Sequence, residues 1–394
     1  MLKSVAATLA GEFKALKTNK LRVVILFLIP VLSNIMFGLE FSGDQIRNIP
    51  MAVLDQDNSQ LSRTIVEYFR ENEVFDIKYM LDDSEKMKEL FNESKINVGM
   101  IIPKGFSEDV KKLDSPSILM LYDGSQMSVA SSAKTRASEI LLTVKAGIVI
   151  KQLEGRLNMP AELAQKTAQA VRFENRTLYN PSRSFKNFLV TGLGTAIVQN
   201  AIAMLCAVAV KNNELEVKKR KRAGYIIGKI MFYGLSGGLV LFINVLLQAF
   251  AFKIPFRGNL SGAALLCFLL AFAVSSFSIM VSSLIRYELF SITVNAVVIV
   301  PSTLYVGYTW PLISMPGIYQ KIAMMLPFYH FADNMRNMFL KGINISSIYR
   351  DIVWYIFFIV GAAFIAVLAS FRLKAEKYGD VPELKKEGGE AAIS

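Results

Sequence analysis

Histidine occurs once in this 394-residue chain, at His330, and cysteine twice, at Cys206 and Cys267. One imidazole cannot supply a histidine-rich metal site, and the polar stretch 42–185 lacks histidine altogether, which excludes a Ser-His-Asp site there. Neither cysteine lies in 42–185, so that stretch must be held by its own core and not by disulfides. Charge is missing as well, over six long runs: Val23–Leu39, Asn187–Val210, Ile230–Phe252, Gly258–Ile285, Leu289–Gln320 and Ile352–Phe371. With 53% hydrophobic residues and a mean hydropathy of +0.39, the chain is too apolar for an ordinary soluble domain. A hydrocarbon core of ~30 Å needs roughly 20 helical residues, which these runs supply. The first run is short and holds Pro30, but Leu21 and a snorkelling Arg22 extend it. No small-x-small cleavage site follows it, so it is expected to be a retained span and not a signal peptide. No ionisable residue stands mid-run; Glu40, Lys229 and Glu288 stand at run ends, where water is within reach. This excludes a charge-lined channel and a proton-coupled pump, and leaves a machine whose drive comes from outside the chain.

The formal charge of +12 is concentrated. Residues 42–185 hold 19 Lys and Arg against 20 Asp and Glu, so the excess lies elsewhere. It gathers at Lys14, Lys17, Lys20 and Arg22, at Lys218–Arg222, and at Arg372, Lys374 and Lys377, all beside run ends. The positive-inside rule puts these clusters on one face, with 42–185 opposite. The expected fold class is therefore an α-helical polytopic membrane protein of six transmembrane helices with an inserted extracellular α/β domain. Its parts are a cytoplasmic amphipathic helix over 1–20, spans at 21–41, 186–210, 225–252, 258–285, 289–309 and 351–372, the external domain at 42–185, a cytoplasmic loop at 211–224, an extracellular or re-entrant segment at 310–350, and a cytoplasmic tail at 373–394.

In the N-terminal segment Leu2, Val5, Leu9, Phe13 and Leu16 fall at helical spacing with lysines beside them, the pattern of a helix lying on the inner leaflet. In the polar stretch, apolar strand signals at 51–54, 74–79, 98–102 and 118–122 alternate with helical ones, and a long helix is marked by Ala133, Ala137, Ile140, Leu141, Val144 and Ile148. Gly224 to Gly228-Lys229 superficially suggests a phosphate loop. It has three residues between its glycines instead of four, Ile230 in place of the hydroxyl, and no preceding strand. Lys218–Arg222 lacks aromatic interleaving and sits between spans, which assigns it to topology, with contact to anionic lipid or an acidic partner surface, rather than to nucleic acid. After the fifth run Pro311, Pro316 and Pro327 break apolar sequence, and broken backbone at membrane depth is tolerated only against protein or a water-filled cavity.

Several stretches together resemble the permease subunit of ABC-2 type exporters, in the group with a large external domain between the first two spans. They are Ile49–Ser59, Val98–Phe106, Leu121–Ser125, Tyr179-Asn180-Pro181 with Gly192, and Gly307–Pro311 with Met315, Pro316, Gln320, Pro327 and Arg336. The resemblance spans nearly the whole chain. It implies no catalytic, metal or cofactor residue here, with ATP and Mg bound instead by two separate ABC ATPase subunits. It also implies a second permease, identical or homologous; a mostly uncharged pathway in contact with membrane lipid suits an apolar or amphiphilic cargo such as a lipid, drug or peptide. It implies coupling to the ATPase through Glu214, Glu216, Arg220, Arg222, Gly228 and Lys229. The loop departs from the family pattern in its short spacing and missing Gly-Thr. The alternative reading, a membrane-anchored extracellular sensor, has a tail of about twenty residues as its only output.

Overall fold

The computed structural model describes residues 1–43, 45–169, 176–210, 222–285 and 287–372. The chain divides into two units, Gly43–Thr177 and the remainder.

The smaller unit is a four-stranded sheet with helices. Its strands β1 (Ile49–Asp55), β2 (Phe75–Leu81), β3 (Val98–Ile102) and β4 (Leu119–Tyr122) are ordered β2-β1-β3-β4. The first three run parallel, and β4 is antiparallel to β3 with Gly99 opposite Leu121. Side chains alternate across β1. Met51 and Val53 face a core shared with Ile65 and Phe69 of α2 (Gln60–Arg70), Phe106 of α4 (Phe106–Lys112), and Ala133, Ala137 and Val144 of α5 (Met127–Leu157). Ala52 and Leu54 face Met87 of α3 (Ser84–Asn92). Asp55 ends β1 by accepting from the Asp57 and Asn58 amides at 3.1 and 3.0 Å, and Ser59 caps α2 through the Ser62 amide. A further helix, α6 (Ala161–Ala168), packs on α5.

The larger unit holds α1 (Leu2–Thr18) and, among the described residues, six helices long and apolar enough to cross a membrane. These are Lys20–Gly43, Phe185–Ala207, Arg222–Ala251, Leu260–Leu284, Glu288–Tyr305 and Ile345–Phe371, here the first to sixth spans. The second, third and fourth are largely buried, whereas the first, fifth and sixth leave most of their surface open. Between the fifth and sixth lie α7 (Gly317–Met324) and α8 (Pro327–Lys341).

Close packing follows from small residues on the third span. A methyl at Gly234 would lie 2.4 Å from the Phe272 ring, one at Gly238 2.3 Å from Phe268, and one at Gly237 2.4 Å from Ile202. The fourth and second spans thus use the glycines as seats.

Three expectations need correction. The third span is already helical at Arg222, Ala223 and Gly224, inside the segment assigned to the loop 211–224. The fifth span ends at Tyr305 and not at 309, because the helix is interrupted at Val300 and Pro301 and turns at Gly307. The sixth begins earlier than 351, with a 3-10 turn at Ile345–Ile348 leading into a helix from Tyr349. Glu214, Glu216, Arg220 and the tail 373–394 lie outside the described residues.

Candidate functional site

Two polar assemblies occupy opposite ends of the span bundle, with a third between them. The first is the seam where α1 meets the third span. The expected apolar stripe of α1 does not act as one face. Ser4, Val5, Thr8 and Glu12 are buried, whereas Leu2 and Phe13 are exposed, and so are Lys3, Lys14 and Lys17. The reason is the surface α1 meets. Gly224 and Gly228 leave a shallow groove, and methyls there would sit 2.6 and 2.7 Å from the Cβ atoms of Ser4 and Thr8. Only small side chains fit against the glycines, so Ser4 and Thr8 turn inward there, while Val5, Leu9 and Leu16 pack beside them and Leu2 and Phe13 stay largely exposed.

One turn further along, Glu12 meets Lys229. Glu12 is 7% exposed and Lys229 2%. The carboxylate takes Lys229 Nζ on Oε1 and Arg22 Nη1 on Oε2, the latter at 3.1 Å. Lys229 therefore does not reach water, as its place at a run end suggested, but reaches an acid from another helix. Glu40 and Glu288 are exposed as expected. Arg222 is also buried, and its guanidinium donates to the Ser370 and Phe371 carbonyls at 2.9 and 3.4 Å, neutralising the carboxyl end of the sixth span. Gly228 and Lys229 thus face α1 in this seam, and Arg222, on the same span, faces the sixth.

The second assembly lies where the second span starts and the fifth ends. Asn180 closes a turn: its Nδ2 donates to the Ser184 carbonyl at 3.0 Å, and its Oδ1 accepts from the Ser184 amide at 3.2 Å. Ser184 then caps the span through the Asn187 amide at 3.1 Å. Pro181 sits within that turn. Two turns on, Gly192 lies under the ring of Tyr308, where a methyl would be 2.2 Å from Cζ. The Tyr308 hydroxyl donates to the Phe188 carbonyl at 2.6 Å and is 2.6 Å from Thr191 Oγ1. Burial pushes this hydroxyl up to about 12, so it stays protonated. Gly307 supplies the left-handed φ of +84° that brings Tyr308 back onto the second span. Arg336 of α8 covers the cluster, 4.6 Å from the Tyr308 ring centroid and 5.0 Å from that of Phe188. It donates to the Tyr308 carbonyl at 3.2 Å and pairs with Asp333.

The prolines of the interrupted segment each start a helix, the position where a missing N–H costs nothing. Pro311 precedes a 3-10 turn at Leu312–Ser314, Pro316 precedes α7, and Pro327 is the first residue of α8. The Met315 carbonyl accepts from Gln320 Nε2 at 2.9 Å, and the Pro327 carbonyl from the Tyr355 hydroxyl at 2.7 Å. Asn180, Gly192, Gly307 and Arg336 are thus gathered around Tyr308 and the start of the second span. Pro311, Met315 and Pro316 shape α7.

Between the two ends, Asn34 Nδ2 donates to Asn244 Oδ1 at 2.6 Å, and Gln248 Nε2 donates to Asn34 Oδ1 at 3.2 Å and to the Val190 carbonyl at 3.1 Å. All three side chains are fully buried, and Gly194 leaves the notch that Asn34 fills. π-helical segments at Val24–Leu28 and Leu247–Ala251 interrupt the two spans that carry this knot. Among the described residues no three His, Cys, Asp or Glu side chains converge as metal ligands.

Residues 22–368 match a family model described as ABC-2 family transporter protein. The chain belongs to that family. An ABC-2 chain is a membrane transport subunit and not an enzyme in its own right. Similar proteins include a probable multidrug ABC transporter permease of Escherichia coli K12, YbhR, 20% identical over 356 residues that cover 89% of this chain and 93% of that protein. The linearmycin resistance permease protein LnrN of Bacillus subtilis 168 is 22% identical over 370 residues, 88% of this chain and 94% of its own. ABC transporter G family member 20 of Dictyostelium discoideum is 28% identical over 219 residues, but these cover 52% of this chain and 30% of that protein.

The sequence reading of this ABC-2 chain missed Glu12, Asn34, Asn244, Gln248 and Tyr308. Glu12 carried a signal, as the one acidic residue before Glu40. So did the amides, since a carboxamide in a charge-free run needs partners that lipid cannot give.

Proposed function

We propose that this chain is the permease of an ATP-driven exporter, working with two separate ABC ATPase subunits and a second permease copy or a homologue. Its N- and C-termini lie in the cytoplasm, and residues 42–185 lie outside the cell membrane. The observation that carries this reading is the charge economy at the α1 seam: among the described residues, the buried Lys229 is neutralised by the buried Glu12, so that seam serves packing between helices and not ion passage. Force must then enter from a partner. The loop 211–221 is the point of contact, since it is flanked by the α1 seam and by Arg222. The open apolar faces of the first and fifth spans suit lipid or the second permease. The relatives named for multidrug transport and linearmycin resistance support an amphiphilic, drug-like cargo.

The test is a pull-down from membranes with the companion ATPase co-expressed. The intact chain is expected to retain the ATPase, and a chain lacking 211–221 to release it. Cys206 and Cys267, both buried, should stay unreactive to a thiol dye in each, reporting an intact bundle. Retention by the deleted chain sinks the docking loop. An intact chain that never holds an ATPase sinks the exporter reading.

A further inference from the structure

The histidine of α8 stands in a place that demands an extra proton. His330 is buried, and both of its ring nitrogens face oxygen: Nδ1 lies 2.6 Å from Asp351 Oδ1, and Nε2 lies 3.0 Å from the Met324 carbonyl. A backbone carbonyl can only accept, so Nε2 carries hydrogen. A neutral imidazole then has a bare lone pair at Nδ1, aimed at a carboxylate oxygen that is itself only an acceptor when ionised. The contact is attractive only with a proton between the two, on the imidazole or on the carboxyl. The surroundings favour the ion pair. Asp351 Oδ2 accepts from Asn334 Nδ2 at 2.8 Å, and the indole of Trp354 stacks on the imidazole with centroids 3.9 Å apart.

We propose that His330 and Asp351 form a proton-binding site that latches the end of α7 to α8 and the sixth span. The three elements meet at this one ring: Met324 ends α7, His330 and Asn334 belong to α8, and Asp351 and Trp354 belong to the sixth span. With the proton lost, the imidazole keeps one N–H for two acceptors; the charged carboxylate is the stronger one, so the Met324 carbonyl is released and α7 with it. The latch is closed at low pH and opens as pH rises through the titration of the pair. The other groups around it do not supply the proton. Asp333 is paired with Arg336, Tyr329 is half-buried on α8, and Tyr355 is committed to the Pro327 carbonyl, with the buried thiol of Cys267 nearby. Lys321 and Arg350 are exposed. This site does not depend on the exporter reading or on which face of the membrane it occupies.

The chain supplies its own reporter, since Trp354 and Trp310 are its two tryptophans and protonated imidazole quenches a stacked indole. In the full chain carrying Trp310→Phe, reconstituted in lipid nanodiscs, Trp354 emission is followed from about pH 5 to about pH 9. The expected result is a one-proton brightening that vanishes in the added His330→Gln variant and moves to lower pH with Asp351→Asn. Hydrogen exchange of residues 317–326 should rise over the same interval. The His330→Gln chain should keep Cys206 and Cys267 unreactive to a thiol dye, which controls for misfolding of the histidine variant. A flat Trp354 profile, a transition that survives His330→Gln, or unchanged exchange across the transition overturns the latch.

Discussion

The sheet unit and the span unit use polar residues in opposite ways. In Gly43–Thr177 the core is aliphatic and aromatic, and the ion pairs Arg70–Glu67, Arg136–Glu139 and Lys166–Glu162 are all exposed. In the span unit apolar side chains cover the outside, and the residues that join helices are polar or small: Glu12 to Lys229 and Arg22, Asn34 to Asn244, Tyr308 over Gly192. The physical difference is the surrounding solvent. Water supplies a driving force that buries any apolar side chain, whereas lipid gives apolar contacts no advantage, leaving close packing and hydrogen bonds to decide which helices touch.

That contrast is broken most severely at Glu12. Glu12→Gln leaves Lys229 buried with only Arg22 beside it, and should cost about 3–5 kcal/mol of stability, read as an earlier melting transition with a dye that reacts with the exposed Cys206 and Cys267 thiols. The double variant Glu12→Gln with Lys229→Met should recover much of it, since the charge left unpaired is then gone. If the double variant melts earlier than Glu12→Gln alone, the pair is not what joins α1 to the third span. A smaller loss is expected from Gly192→Ala: the added methyl meets the Tyr308 ring, an overpacking of about 1–3 kcal/mol by the same melting assay. Restoration by Tyr308→Phe would contradict this, because the ring and not the hydroxyl is the obstacle. At the far end, Lys166→Ala in the sheet unit should leave the transition where it is, because its partner Glu162 is solvated with or without it.

The same contrast explains what the sequence made legible. Charge-free runs gave all six spans, and alternation with turn residues such as Asp55 to Ser59 and Pro103 to Gly105 gave the four strands, because both signals come from burial in one uniform medium. The orientation of α1 was not legible. Its apolar stripe was read as a single face, but the helix borders protein on one side and open surface on the other, and the glycines that decide its rotation lie more than two hundred residues away. Asn34 and Gln248 stood out as carboxamides in uncharged runs, but nothing local says that they meet each other and Asn244. At the second assembly Asn180, Gly192, Gly307 and Arg336 were named singly, yet nothing in their spacing says that Tyr308 is the residue on which three of them converge. Pairing across 117 positions, as between Thr191 and Tyr308, leaves no local trace.

Arg222 has a mechanical consequence. It lies in the third span, and its side chain grips the last described carbonyls of the sixth. A pull along the third helix is therefore shared through a single guanidinium: one part stays in that helix, the other crosses to the sixth. Two helices remote in sequence are hauled by the same tether.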